Sequence, residues 1–382
     1  MLSDVPLGGF LSGGIDSSLI VALMQKENIK PIKTFTIGFE EKHFDESIFA
    51  KKISSHLGTD HNEMIITDKD SLGVIPILPK IYDEPFADSS QIPTYLICKN
   101  AKKNVTVALS GDGGDEIFGG YNRYTWSPKI WKKISYLPFS LRKILSQIAL
   151  NISEKNFNFV LNLFINRGGY KVHKIAKALI HSKSLENFMQ NLTLEWIEDE
   201  DLIINYEKDK NFNRYLFQNK IDILDFEFND PISKMIYLDT VTYLQDDILC
   251  KLDRAAMSNS LETRVPFLDK DVVEFANKIP INIKIKNGKG KWPLKKILSK
   301  YIPQNLIDRP KTGFSIPLGN WLRGPLKDWS ESLLDEKRIK NEGIFSSKLI
   351  RSKWDKHLDG KHKGLFKSGR TCKREWAESQ QG

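Results

Sequence analysis

Three features of this sequence predict an α/β fold: a doubly wound, mainly parallel sheet with a large helical portion. Strand-like and helix-like stretches alternate over the first 120 residues, the pattern of a parallel sheet covered by helices on both faces. The string Phe10-Leu11-Ser12-Gly13-Gly14-Ile15-Asp16-Ser17-Ser18 joins an apolar run to a helical one through a turn of the smallest residues. A second string, Leu109-Ser110-Gly111-Asp112-Gly113-Gly114-Asp115-Glu116, follows another apolar run. Both fall at the carboxyl ends of predicted strands, where ligands bind in sheets of this kind. They therefore predict one shared site.

Each element has a local reason. Pro6, Leu7, Phe10 and Leu11 read as a short buried first strand, and Leu19, Ile20, Val21, Leu23 and Met24 as the buried helix after the loop. Residues 32–39 alternate and are rich in β-formers, which gives strand 2. Ile48, Phe49, Ile53 and Leu57 form a helical stripe over 45–57. Residues 63–66 suggest strand 3, 72–81 and 92–103 two helices, and 105–109 (VTVAL) a further buried strand. From about 121 to 225 the chain is aromatic, basic and helix-rich without a legible motif, and 226–330 is mainly helical. The expected organisation is one unit over 1–330, with 1–120 as its α/β core, about 121–225 a helical region and 226–330 mainly helical. Residues 331–382 are expected to be a divergent basic tail, polar over 364–382.

The bulk properties narrow the function. A chain of 382 residues with 40% hydrophobic and 27% charged residues can bury a core. No run approaches the roughly 18 apolar residues of a membrane span, and the start lacks the basic and apolar regions of a secretory signal. Cys98, Cys250 and Cys372 lie far apart without metal-site spacing, so free thiols in a reducing cytoplasm are expected. The formal charge of +9 comes from scattered lysines accompanied by much Ile and Asn. These read as a solvated surface, so neither a nucleic-acid nor a membrane partner is expected.

The first loop suits a phosphate. Glycines let a ligand approach the backbone, and the helix start offers N–H groups and partial positive charge. Ser12, Ser17 and Ser18 add hydroxyls, and Asp16 adds a carboxylate for a metal ion carried on phosphates. The P-loop lysine is absent, which favours a departing pyrophosphate over γ-phosphoryl transfer. An ordinary Gly-Ser turn is the plain alternative. In the second string, three acids beside three glycines could cap a helix, or could supply carboxylates for Mg2+ and an acid at the reacting centre. Ile37-Gly38, at the end of strand 2, offers backbone that could read adenine, or simply turns the chain.

The SGGIDSS string resembles the pyrophosphate loop of the N-type ATP pyrophosphatases, which have an adenine nucleotide alpha-hydrolase-like, Rossmann-like fold. SDVPLGGFLSGGIDSS is similar to the asparagine synthetase family in particular. The second string looks like that family's SGEGADE/SGDGGDE motif. Lys251-Leu252-Asp253-Arg254-Ala255-Ala256-Met257, continuing into Leu261-Glu262-Thr263-Arg264-Val265-Pro266-Phe267-Leu268-Asp269, resembles its KVDRASM…LEVRVPFLD segment. Arg309-Pro310-Lys311-Thr312-Gly313-Phe314 is similar to its RPKxGF loop.

The resemblance implies ATP and Mg2+ as reaction partners, aspartate or a related carboxylate as acceptor, and ammonia as nitrogen donor, through a β-aspartyl-AMP intermediate. It implies ATP contacts from Leu11, Ser12, Gly13, Gly14, Asp16, Ser17, Ser18, Ile37, Gly38, Ser110 and Gly111, and Mg2+ held by Asp16 and Asp115. Asp112, Lys311 and Arg254 are the implied catalytic residues. Arg254 and Arg264 could fork onto an acceptor carboxylate or form ion pairs within the protein, and Lys295 is a second phosphate candidate or surface charge. Asp112 stands where many members carry Glu, about 1.5 Å shorter in reach.

Glutamine-using members carry an amino-terminal glutaminase domain with a cysteine nucleophile, whereas residue 2 here is Leu. Two expectations stay open: a fragment of a longer gene, or a synthetase fed by free ammonia or a separate glutaminase. The oligomeric state is also open, with a homodimer as one option. Two other activities share the pyrophosphate loop or the family: amidation of other carboxylates in cell-surface polysaccharide synthesis, and tRNA modification. The absence of a catalytic cysteine pair and of a basic RNA module weighs against the latter.

Overall fold

The computed structural model describes residues 3–40, 45–86, 88–152, 157, 168–193, 202–204, 228, 230–308 and 316–359. The chain divides into two compact units, one of Met1–Tyr121, Ile236–Asn320 and Ser368–Gly382, the other of Asn122–Met235 and Trp321–Lys367. The first break coincides with the start of the aromatic, basic region in the sequence.

The first unit is the predicted α/β body. Its five strands are β1 (Leu7–Phe10), β2 (Lys33–Phe39), β3 (Asp60–Ile66), β4 (Val107–Leu109) and β5 (Glu262–Arg264). They pair in the order β3-β2-β1-β4-β5, every pair parallel. Parallel pairing needs crossovers, and helices supply them: α1 (Ile15–Lys26) after β1, α2 (Ser47–Leu57) after β2, and the helix Gln91–Lys102 before β4. Leu19, Val21, Met24 and Ala22 of α1 are buried with Ile53 and Ala50 of α2 in one core, which Leu294, Leu298 and Ile302 complete.

Chain direction across the sheet reverses at β1. Strands β2 and β3 build outward on one side, and β4 and β5 on the other. A crevice at such a reversal, beyond the carboxyl ends of the strands, is the place where this architecture holds a ligand. The loops after β1 and β4 are the two glycine strings. Strand β5 was not foreseen: three polar residues on a sheet edge carry no hydrophobic signal, and the segment around them reads as helical.

The second unit is helical. Ala178, Leu179, Phe188 and Leu192 form a small core with Trp126, Ile130 and Trp131 packed against it. Residues expected in the basic tail belong to this second unit. The helices Glu336–Glu342 and Ser347–Leu358 bury Ile339, Ile350 and Trp354, and the Trp354 indole donates to Glu331. Residues 364–382, read as polar, lie outside the described residues. No helix among the described residues is long and apolar enough to cross a membrane, and Cys98 and Cys250 are free thiols.

Candidate active site

The first loop is built from its own small side chains. Leu11 N–H donates to Phe35 O at 2.9 Å, which carries the β1 ladder one residue past the strand. Gly13 then takes φ +73°, a left-handed conformation that favours glycine. The Ser12 amide donates to Ser17 Oγ at 3.2 Å, the Ser12 and Ser17 hydroxyls lie 3.0 Å apart, and Gly14 N–H donates to Ser12 Oγ at 3.2 Å. Gly14 caps α1 without a side-chain hydrogen bond, so the dipole of a twelve-residue helix opens towards the loop. Ser18 is buried, and its Oγ has no hydrogen-bond partner among the described residues.

Ile37 and Gly38 sit where β2 outruns β1. The β1–β2 ladder ends at Phe10 opposite Phe35, while β2 continues beside β3 through Gly38↔Ile65. Amide direction alternates along a strand, and Phe35 O points to β1. Ile37, two residues on, therefore turns its amide groups to the same side, past the end of β1 and above the serine loop. That leaves a backbone edge beyond the β1–β2 ladder at the position expected to read adenine, with Ile37 and Gly38 themselves buried.

The second loop closes against the first. Ser110 N–H donates to Arg264 O of β5 at 2.9 Å, and Ser110 Oγ donates to Asp112 Oδ2 at 2.6 Å. A Cβ on Gly111 would stand 2.7 Å from Ser17 N, and one on Gly114 would stand 2.5 Å from Asp16 Oδ1. Both glycines are thus required by contact between the loops. Gly111→Ala is expected to cost about 1–3 kcal/mol through overpacking and to weaken ATP binding. Urea unfolding together with an ATP titration checks this, and an unchanged midpoint would contradict the contact.

The acids divide by environment. Burial raises the Asp112 carboxyl above its ordinary range, with Asp115 adding to the rise, against opposition from the Ser110 hydroxyl and the Lys251 and Lys291 ammonium groups. Glu116 is buried and accepts from the Tyr121 hydroxyl at 2.5 Å; burial pushes its carboxyl up to about 7. Asp16 and Asp115, the expected Mg2+ ligands, converge on one cation, the Lys291 ammonium, which donates to Asp16 Oδ2 and lies 2.7 Å from Asp115 Oδ1. Two hard carboxylates meeting at one point suit Mg2+. Among the described residues no three His, Cys, Asp or Glu side chains gather into a metal cluster. The donor set therefore fits an ion that takes its remaining oxygens from phosphate and water, as Mg2+ does at nucleotide sites.

The expected arginines sit apart from this cluster in environment. Arg254 is exposed, with Nη1 3.5 Å from Asp83 Oδ2, and Arg264 Nε lies 2.5 Å from Glu262 Oε1. The more enclosed cation of the same segment is Lys251, partly buried one turn before Arg254. Its Nζ donates to Asp88 Oδ2 at 2.7 Å, and its charge acts on Asp112. Lys295 is half-buried, and burial with the nearby Lys289 and Lys291 charges lowers its pKa. Lys311 lies outside the described residues.

Sequence reasoning missed Lys251 and Lys291 because both are lysines among many. A usable signal existed for Lys291: Gly288 and Gly290 before it and Pro293 after it mark a constrained turn into a helix.

Comparison with known proteins identifies the family. The family model for asparagine synthase matches residues 1–376. Asparagine synthetase [glutamine-hydrolyzing] 1 of Bacillus subtilis is 35% identical over 345 residues, 88% of this chain and 50% of the relative. A putative asparagine synthetase [glutamine-hydrolyzing] of Mycobacterium bovis is 32% identical over 334 residues, 86% of this chain and 48% of the relative. At greater distance, amidase chyE of Penicillium rubens is 23% identical over 367 residues, 90% of this chain and 54% of the relative. The chain thus spans about half the length of the curated relatives it matches. With both glycine loops at the sheet's reversal point and a family match along nearly its whole length, the chain belongs to the asparagine synthase family.

Proposed function

We propose that this chain is an ATP-dependent, AMP-forming amide ligase that converts aspartate to asparagine. The observation that carries the reading is the closure of the two loops over the sheet's reversal point, with Gly111 against Ser17 N and three carboxylates around the junction. The loop over 12–18 holds the β- and γ-phosphates as pyrophosphate, and the Ile37–Gly38 edge takes adenine. Asp16 and Asp115 would hold Mg2+, which when bound would supply charge neutralisation on the phosphates.

In the first step a carboxylate oxygen of aspartate attacks the α-phosphorus and expels pyrophosphate, giving the acyl-adenylate. We assign Lys311 to the charge that develops on the α-phosphate. In the second step ammonia attacks the acyl carbon and AMP leaves with the bonding electrons. The nitrogen must lose a proton, and we assign that proton to Asp112, whose carboxyl is raised by burial. We assign Lys251, partly buried beside Asp88, rather than Arg254, exposed beside Asp83, to the acceptor carboxylate. The nitrogen comes from free ammonia or from a glutaminase.

The deciding experiment measures AMP and pyrophosphate release from Mg-ATP and ammonium, with and without aspartate. Equal amounts of the two products, dependent on aspartate, are expected. Release that requires a sugar carboxylate or a different amino acid instead would replace aspartate as acceptor. Release of ADP and phosphate would overturn the assignment of the loop.

A further inference from the structure

The tightest charge arrangement in the first unit uses a residue that no motif singled out. Lys291 has a side chain only 6% exposed, and its ammonium lies between Asp16 at the start of α1 and Asp115 at the start of the helix Gly114–Ile117. Three observations show that it is held there. Its backbone takes φ +56°, a strained choice for a side chain with a Cβ that persists only where the surroundings impose it. Its N–H donates to Phe118 O at 3.1 Å, which ties the turn to the second loop. The glycines beside it leave no slack: a Cβ on Gly120 would overlap Lys291 Cε and Asp115 Oδ1, and one on Gly290 would overlap Gly119 O.

Two carboxylates aimed at one point repel each other unless a cation separates them. An ammonium can do so with one charge and three donors, but it is tethered, whereas a divalent ion brings two charges and open positions for phosphate oxygens. Burial opposes the Lys291 charge, and Asp16 and Asp115 more than offset it.

We infer that Lys291 is the resident cation of the nucleotide-free site: its ammonium holds Asp16 and Asp115 together at the divalent-ion position and yields that position when metal arrives with nucleotide. The inference rests on the reading of these two aspartates as Mg2+ ligands. A tethered cation lowers the apparent affinity for free metal by the fraction of time the position is occupied. The site thus stays folded without metal, and metal binds well only in company with phosphate.

The test uses the full chain without nucleotide. Thermal unfolding is followed as MgCl2 is added, and Mn2+ binding is read by EPR, for wild type, Lys291→Met and Lys291→Arg. Wild type and Lys291→Arg are expected to bind Mn2+ weakly and to melt independently of Mg2+. Lys291→Met is expected to melt lower without metal, to recover as Mg2+ is added, and to bind Mn2+ about tenfold tighter or more. An unchanged midpoint with no gain in Mn2+ affinity overturns the inference alone, provided Asp16→Asn still impairs Mg-ATP binding. A lower midpoint repaired by Asp115→Asn, with no gain in Mn2+ affinity, overturns it together with the metal-ligand reading. An equal gain in Lys291→Arg means that shape rather than charge is responsible and also overturns it. If Lys291→Met gives no folded protein, Lys291→Met/Asp115→Asn is expected to fold, and its failure to do so counts against the inference.

Discussion

Asp112→Asn is expected to lower the rate of asparagine formation by about 10²–10⁴-fold, the range for loss of a positioned acid–base group, while ATP still binds. Asparagine has nearly the shape of aspartate and can accept the Ser110 hydroxyl that now bonds Asp112 Oδ2. It cannot take a proton from the attacking nitrogen. Burial already disfavours the Asp112 charge, so a neutral amide there is expected to leave stability unchanged or slightly improved, a common trade at functional sites. That combination separates a catalytic role from a structural one. Steady-state AMP release, an ATP titration and a denaturation curve on one preparation check it. Near-wild-type turnover would remove Asp112 from the mechanism. Asp112→Glu is informative beside it, because the extra methylene extends the reach by about 1.5 Å towards the length many family members use.

What the sequence disclosed depended on how local each signal is. The loop after β1 and the loop after β4 were legible because glycine, serine and aspartate do something there that few other residues can, and because buried strands precede them. Strands β2 and β4 were legible from continuous β-rich runs. Strand β5 was not, because Glu262, Thr263 and Arg264 join the sheet by backbone pairing to β4 and carry no apolar pattern. The same limit applies to cations. Arg254 and Lys251 stand three residues apart in one motif, and the motif does not say which is enclosed. The fold does: Lys251 reaches Asp88, which is distant in sequence, and Arg254 is left exposed beside Asp83. Lys291 is one of the scattered lysines that read as solvated surface, and the turn brings it between Asp16 and Asp115. Contacts made across more than a hundred residues leave no local trace unless a glycine or proline marks the turn that allows them.

Lys251→Met is expected to destabilise the first unit by about 1–3 kcal/mol, the cost of leaving a partly buried charged group without its partner. Lys251 and Asp88 are 13% and 22% exposed, so solvent screens them little. Asp88 is also held by the Ser90 amide at 2.9 Å and the Ser90 hydroxyl at 2.7 Å, and it cannot readily turn outward for hydration. The double variant Lys251→Met/Asp88→Asn is expected to recover much of the loss, because an apolar and a neutral polar group replace two charges. Urea denaturation of both single variants and the double variant measures the coupling, and a double-variant loss equal to the sum of the two single losses would show that the pair does not couple. The pH dependence follows from the shifts. Burial would raise Asp88, but the Lys251 ammonium and the Ser90 donors outweigh it and hold the carboxyl well below its usual range. A carboxyl depressed in the folded state stabilises above its unfolded pKa, about 3.9, and that contribution is lost as pH falls further. Lys251 is opposed by burial and raised on balance by Asp88, Asp112 and Asp247. Its contribution is complete below about pH 10.4 and is lost only as pH rises through the folded value. The pair is therefore expected to hold constant across neutrality, so a loss of activity in Lys251→Met that persists at pH 7 after stability has been restored by Asp88→Asn would report the missing charge beside Asp112.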